Sequence, residues 1–212
     1  MMIDFLQFLY LIISLVVVLS VHEASHALVA YYLGDPTAKL KGRLTLNPLA
    51  HLDLVGSLLF LITQRIGWGK PVPVNPANFK KPMRDSALTA LAGPVSNFIL
   101  SFALAFPLKY LWDYMPASLI LLIWMIFDVS IVLGIFNMIP IPPLDGSKII
   151  GLIIPRRYAD VYERFLEKGV KYFVVIILID VFILQDLIGF SFFRFLMEFF
   201  YERVRLILLL GT

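Results

Sequence analysis

The sequence contains no cysteine and has little charge. Only 16% of its 212 residues are charged, there are three histidines, and the formal net charge is +3. Without cysteine, disulfides and thiolate metal sites are excluded, so a metal ion would need His, Asp or Glu ligands. The basic residues flank apolar segments and form no continuous patch, so we expect no nucleic-acid partner. A hydrophobic fraction of 60% is typical of membrane proteins instead.

Long apolar segments predict an all-α polytopic membrane protein. A helix needs about 20 mainly apolar residues to cross the hydrocarbon core. We expect about four to six membrane helices in a single domain over 1–212, with its core at 5–152. The strongest candidate spans are 5–33, 86–108, 119–140 and 169–188.

Shorter segments complete the predicted fold. The apolar run 51–66 is short for a span, so it is a candidate re-entrant or interfacial piece. Alternation of polar and apolar residues over 39–46 predicts a strand, and the prolines of 70–76 favour extended backbone, so together they predict a small sheet at the membrane face. The aromatic and charged segment 192–210 has the composition of an interfacial amphipathic helix.

The lysines and arginines predict the orientation in a cell membrane. Basic residues cluster at 39–43, 65–84 and 148–171, whereas the loop at 109–116 is nearly neutral. The positive-inside rule therefore places the three basic regions in the cytoplasm and the N-terminus outside.

The first apolar segment contains a metal-binding motif, Val21-His-Glu-Ala-Ser-His. On a helix, His22 and His26 lie one turn apart on one face, and both imidazoles can bind one zinc ion. Glu23 lies beside them and can activate a water molecule. The alternative is that these side chains only bridge helices, but ionisable residues inside a membrane helix are costly and usually functional.

A catalytic zinc site normally has three protein ligands, so a third ligand is expected elsewhere. Asp145 is the strongest candidate, because it follows a proline-rich break in an apolar segment, and irregular backbone at membrane depth lines protein or a watery cavity. A loop aspartate that only forms a turn is the alternative. A single histidine beside an apolar run, such as His51, more often makes structural hydrogen bonds than binds a metal ion. The remaining acidic residues lie near the ends of apolar segments, where contact with interfacial water accounts for their charge: Asp53, Asp128, Asp180 and Asp186.

Four further motifs lie downstream of the histidine pair: Asn47-Pro-Leu-Ala-His, Gly69-Lys-Pro-Val-Pro-Val-Asn, Ala92-Gly-Pro-Val-Ser-Asn and Asn137-Met-Ile-Pro-Ile-Pro-Pro-Leu-Asp-Gly. With these motifs, the sequence resembles the site-2 protease family of intramembrane metalloproteases. The resemblance implies that His22, His26 and Asp145 bind Zn²⁺ and that Glu23 is the general base. It further implies that Asn137 orients substrate or stabilises the oxyanion, and that Asn97 is another polar group of the active site.

The family resemblance predicts hydrolysis of peptide bonds in or near transmembrane segments of other proteins. We expect a minimal member without a PDZ or nucleotide-sensing domain. A helical substrate would have to unwind, for example by pairing with 39–46 or 71–76. Two alternatives remain: a divalent-metal transporter with Glu23 as a ligand, and a catalytically silent relative that acts as a membrane chaperone.

Overall fold

The computed structural model describes residues 5–63 and 67–209, and these ranges are almost entirely helical. Short 3-10 turns connect several of the helices, and a π-helical stretch, Ile179–Leu184, continues α7 into α8. In chain order, the α-helices are α1 (Phe5–Tyr32), α2 (Thr37–Leu40), α3 (Leu54–Thr63), α4 (Pro82–Tyr110), α5 (Ala117–Met138), α6 (Asp145–Ile149), α7 (Ala159–Leu178), α8 (Gln185–Ile188) and α9 (Phe192–Leu208).

Helices α1, α4 and α5 form the centre of the protein. Among the described residues, they are the three helices that are long and apolar enough to cross a membrane. Each packs against the other two. Their bounds agree with the predicted spans 5–33, 86–108 and 119–140 to within four residues, which confirms an all-α membrane protein.

Proline sets the helix ends that matter for the site. Pro82 occupies the first turn of α4, where its missing N–H costs nothing, and Asp85 accepts a hydrogen bond from the Lys81 N–H at 3.0 Å. Helix α5 ends at Met138 because Pro140 forces Ile139 into extended backbone. The chain then turns back and begins α6 at Asp145.

The predicted strand at 39–46 is wrong. Residues 37–40 form α2 and residues 41–46 form turns and bends. Gly42 has a φ of +66°, which breaks an extended run, and the Asp35 carboxylate accepts the Thr37 N–H at 3.0 Å, which favours a helix start. The described residues contain no sheet, only an isolated bridge between Leu52 and Gly69.

The segment 51–66 contains the ten-residue helix α3, which is short for a span as expected; residues 64–66 lie outside the described residues. The predicted span 169–188 is helical, but its helix begins earlier, at Ala159, with a charged first half. The count of four to six membrane helices therefore stays a prediction.

Helix α9 packs against α5, and the interfacial position predicted for 192–210 stays a prediction. Near its start, Phe193 packs with Ile139, just past the end of α5. At its other end, Leu209 packs with Leu108, close to the opposite end of the bundle. Helix α9 therefore lies lengthwise beside α5, because its apolar side is long enough to cover that helix.

Candidate metal centre and active site

Helix α1 supplies three neighbouring polar side chains to the interior. His22, Glu23 and His26 are all buried, with 3%, 9% and 7% of their surface exposed. His26 lies six residues before Tyr32, the last residue of α1, which is about 9 Å along the helix axis. The three groups therefore lie below the helix ends, inside the bundle.

Asp145 reaches this region because the chain folds back after α5. It is the first residue of α6, which packs against α4 and α5. The next residue, Gly146, lies so close to the carbonyl groups of Met138 and Ile139 that a Cβ atom there would overlap them. The close approach of α6 to the end of α5 therefore requires glycine at this position.

The structure brings together His22, His26 and Asp145, which were predicted as metal ligands. His22 Nε2 is 3.1 Å from Asp145 Oδ2, His26 Nε2 is 3.2 Å from the same oxygen, and the two Nε2 atoms are 3.0 Å apart.

This donor set fits a zinc ion. Zinc binds imidazole nitrogen and carboxylate oxygen at roughly 2.0–2.2 Å, and tetrahedral ligands at that distance lie about 3.3–3.6 Å from one another. The three observed separations of 3.0–3.2 Å are just below this range. Two imidazoles and one carboxylate also form a ligand set of catalytic zinc sites, which leaves a fourth position for water.

Groups on α4 hold both imidazole rings from behind. His26 Nδ1 is 2.7 Å from the Thr89 carbonyl oxygen, so Nδ1 carries the proton and the lone pair of Nε2 faces Asp145. His22 Nδ1 is 3.1 Å from the side-chain amide of Asn97. A ring that binds metal through Nε2 needs an acceptor at Nδ1, and the amide oxygen of Asn97 can fill that role after a half-turn of the amide.

The two asparagines predicted for the active site differ in position. Asn97 is fully buried and lies behind His22, on the side of the ring away from Asp145. Asn137 is half-buried and lines the open cavity, and its side-chain amide donates to the Leu133 carbonyl oxygen at 3.1 Å. Only Asn137 is therefore placed where substrate can reach it.

Gly93 is a site residue whose role the sequence analysis missed. A Cβ atom at this position would overlap His26 Nε2 and lie 2.5 Å from Cε1 of His22. Helix α4 can therefore approach the paired imidazoles only with glycine here. The following Pro94 is a sequence signal that could have indicated this close contact, because a glycine–proline pair inside a membrane helix is unfavourable without a packing reason.

A second contact that the sequence analysis missed involves Glu23. Its Oε2 atom accepts a hydrogen bond from the main-chain N–H of Val72 at 2.8 Å. Val72 belongs to the extended, proline-rich segment that was predicted between 70 and 76, and no helix or strand is formed from residue 70 to residue 75. This segment therefore lies directly over the Glu23 carboxylate.

The site opens into a cavity of about 1060 Å³. His22, Glu23, His26 and Asp145 all line it, so each of the four can be reached from outside. Basic side chains line the same cavity, and they come from the loop before α4, from α4 and from α6: Lys80, Lys81, Arg84 and Lys148. The cavity therefore opens on the side of the helix bundle where these basic side chains lie.

The other ionisable candidates lie outside this cluster. Nε2 of the fully buried His51 bonds to the Thr45 carbonyl oxygen at 2.8 Å. Asp53 bonds to the Gly56 N–H at the start of α3, and Asp128 accepts the Tyr201 hydroxyl at 2.6 Å. Asp180 bonds to Ser191 and to main-chain N–H groups at the start of α9. Their contacts join helices and loops.

Comparisons of the sequence with known proteins find relatives of one kind. The model of the family described as Peptidase family M50 matches residues 112–180. YwhC of Bacillus subtilis, named as a candidate zinc metalloprotease, is 44% identical over 155 residues, which cover 69% of each chain. Rip2 of Mycolicibacterium smegmatis and Rip2 of Mycobacterium tuberculosis carry the same kind of name and are 32% and 31% identical over 144 residues. The chain spans about 55% of the length of these Rip2 proteins, and no solved structure matches it.

Proposed function

Because the chain belongs to peptidase family M50, it is an intramembrane zinc metalloprotease, and we propose that His22, His26 and Asp145 bind its zinc ion. The observation that supports this assignment best is the convergence of their three ligand atoms, 3.0–3.2 Å apart, at the wall of an open cavity. A zinc ion held there supplies Lewis acidity toward a water molecule and the scissile carbonyl.

We propose that Glu23 is the general base. Its carboxylate lies on the same helix as both histidines and faces the same cavity. It takes a proton from the attacking water and delivers that proton to the leaving amine. Asn137, which has a further amide hydrogen beyond the one bonded to Leu133, donates to the developing oxyanion or orients the substrate.

The experiment that tests this assignment compares Glu23→Gln with Ser25→Ala. The Ser25 hydroxyl donates to the Val21 carbonyl oxygen and has no part in the chemistry, so Ser25→Ala is a matched change inside the same motif. Purified protein in detergent is incubated with a panel of single-span substrates, and bound zinc is measured in each variant. We expect Glu23→Gln to keep zinc and lose cleavage, and Ser25→Ala to keep both.

The opposite pattern would favour metal transport. In a transporter, Glu23 would itself be a ligand along an ion path. If no form of the protein cleaves any substrate and Glu23→Gln loses zinc, the assignment of Glu23 as a base is wrong.

We propose that substrates are transmembrane proteins whose scissile segment binds in an extended form. The predicted strand at 39–46 is no longer available for pairing, but residues 70–75 still border the cavity, and among the described residues the Val74 N–H has no hydrogen-bond partner. An unwound substrate can accept a bond from it. Val74→Pro should then raise KM several-fold, and an unchanged KM would argue against pairing at this residue.

We propose that the cavity faces the cytoplasm of a cell membrane and that α9 and the segment 169–188 also cross the bilayer. The positive charge around the cavity supports this orientation. The lengthwise contact of α9 with α5 supports a span for α9, and the apolar composition of 169–188 supports the other span. The chain lacks cysteine, so a single cysteine reports its side directly. In intact cells, an impermeant thiol reagent should label Tyr114→Cys and leave Lys81→Cys unlabelled; the reverse pattern would invert the topology.

A further inference from the structure

The active-site carboxylate is covered by a segment of unusual sequence, residues 70–75, which we call the strap. It reads Lys-Pro-Val-Pro-Val-Asn, with prolines at 71 and 73. Proline fixes its own φ near −65° and pushes the residue before it toward extended backbone, so the strap is stiff before it contacts anything. Proline also lacks an N–H, so the inner four residues of the strap have donors only at Val72 and Val74.

Both ends of the strap are fixed to the body of the protein. At its start, the Lys70 N–H donates to the His51 carbonyl oxygen at 2.8 Å, and the buried Arg43 guanidinium donates to the Lys70 carbonyl. At its end, the Asn75 N–H donates to Asp35 Oδ2 at 2.7 Å. The position of the strap is therefore set by contacts outside the catalytic residues.

Asp35 is a strong anchor because its carboxylate is fully buried and has several donors. Burial raises the pKa of Asp35, but hydrogen bonds from Thr37, Asn75 and Asn78 outweigh burial and lower it. The carboxylate is therefore ionised in the folded protein, and charge-assisted hydrogen bonds of this kind are about twice as strong as neutral ones.

Between these anchors, the strap contacts Glu23 through a single main-chain group. The Val72 N–H donates to Glu23 Oε2 at 2.8 Å, and in the part of the chain that the structure describes no other hydrogen-bond donor reaches this carboxylate. Because Oε2 of Glu23 is held in this bond, Oε1 is the oxygen left to accept a proton. A glutamate side chain otherwise has three rotatable bonds and would spread over several positions.

We propose that the main-chain N–H of Val72 is the positioning group for Glu23 and that the strap exists to present it. The inference rests on the proposed role of Glu23 as general base. It makes Val72 a positioning residue, because its N–H acts on the reaction only through the carboxylate. The Val72 side chain is not required.

The kinetic test uses two prolines in the same local sequence. Val72 lies between two prolines, and Val74 follows the second of them. Val72→Pro and Val74→Pro each remove one main-chain N–H from the strap. Only Val72→Pro removes the donor to Glu23. We expect its kcat to fall about 100-fold, since a small misplacement of a catalytic group has an effect of this size. Val74→Pro removes the N–H that we propose to pair with substrate, so its effect should lie mainly in KM, and its kcat should fall at least about tenfold less than that of Val72→Pro.

Val72→Ala shows whether the main chain or the side chain matters. It keeps the N–H and should retain the wild-type kcat and bound zinc. The proposal is wrong if Val72→Pro retains the kcat of Val74→Pro while both remain folded, or if Val72→Ala loses as much kcat as Val72→Pro.

A second measurement does not depend on catalysis. In the zinc-loaded full chain in detergent micelles, amide hydrogen exchange is followed by NMR at Val72, Lys70 and Asn75. Glu23→Ala should speed exchange at Val72 by at least about tenfold, because the hydrogen bond of this N–H is lost, and should leave Lys70 and Asn75 protected. Equal exchange at Val72 in both proteins would overturn the proposal even in an active enzyme. If the wild type cleaves nothing but the exchange result holds, the proposed function fails and the contact stands.

Discussion

Gly93→Ala should separate the metal site from the fold. The added Cβ would lie 2.5 Å from Cε1 of His22, whereas carbon atoms in contact are about 3.5–4.0 Å apart, so this ring has to retreat by about 1 Å. His26 Nε2 is also overlapped. Zinc–ligand distances are fixed to within about 0.2 Å, so a shift of this size displaces at least one ligand. The ring tips can move without moving the helix backbone, so folding should be retained.

The assay for Gly93→Ala is zinc affinity, measured by competition with a chromophoric chelator, together with thermal unfolding of the metal-free protein. We expect zinc affinity to fall at least about 100-fold, the upper end of the loss seen when only a group behind a ligand is changed. Gly134→Ala is the matched control, because this glycine is also on a candidate span, and its Cβ would lie 3.1 Å from the Phe98 ring, away from the histidines. Zinc affinity within threefold of wild type in Gly93→Ala would refute the reasoning, and so would equal losses in both variants.

Three further changes test the surroundings of the site. Asn97→Leu should weaken zinc binding about 10–100-fold, because the His22 ring loses its hydrogen-bond partner. Asn97→Asp keeps an acceptor and should weaken zinc binding less. Equal losses in the two variants would show that Asn97 does not act as the acceptor for His22. The pKa of Asp35 is lower in the folded protein than its ordinary value of about 4. The ionised carboxylate therefore stabilises the fold fully when the pH is above this ordinary pKa, and the stabilisation is lost as the pH falls through the pKa of the folded protein. The difference in thermal stability between wild type and Asp35→Asn should therefore shrink below about pH 4, and a constant difference would contradict this. Tyr201→Phe removes the hydroxyl bond to Asp128 and should lower stability in detergent by about 1 kcal/mol, without change in bound zinc.

The long-range organisation of the protein was predictable where hydrophobic length decided it. Spans 5–33, 86–108 and 119–140 correspond to α1, α4 and α5, because only a helix can satisfy a long apolar backbone in lipid. The failed strand at 39–46 shows the limit of a short periodic pattern. Eight alternating residues carried less weight than the helix start at Asp35 and Thr37 and the positive φ of Gly42.

Some residues of the candidate site could be predicted from local sequence, and others come to the site only through packing of distant helices. His22, Glu23 and His26 could be identified because their spacing on one helix is a local property of the sequence, and Asp145 because it follows a local break. Thr89 could not be identified, because it touches His26 only after α4 has packed against α1, and this contact joins residues 63 apart in sequence. For Gly93, the following Pro94 was the available signal, and the sequence analysis did not use it.

The groups that hold the candidate catalytic side chains differ chemically from those side chains. Two of the three buried polar residues near the end of α1 are held by main-chain atoms, His26 by the Thr89 carbonyl and Glu23 by the Val72 N–H. A main-chain atom is kept under almost any side-chain substitution, so an alanine scan would report both Thr89 and Val72 as unimportant. Proline changes the backbone itself, and at Val72 it does so between two prolines that already fix the chain direction. Proline substitution is therefore the more informative scan of the extended segment 70–75, and within that segment its largest effect on kcat is expected at Val72.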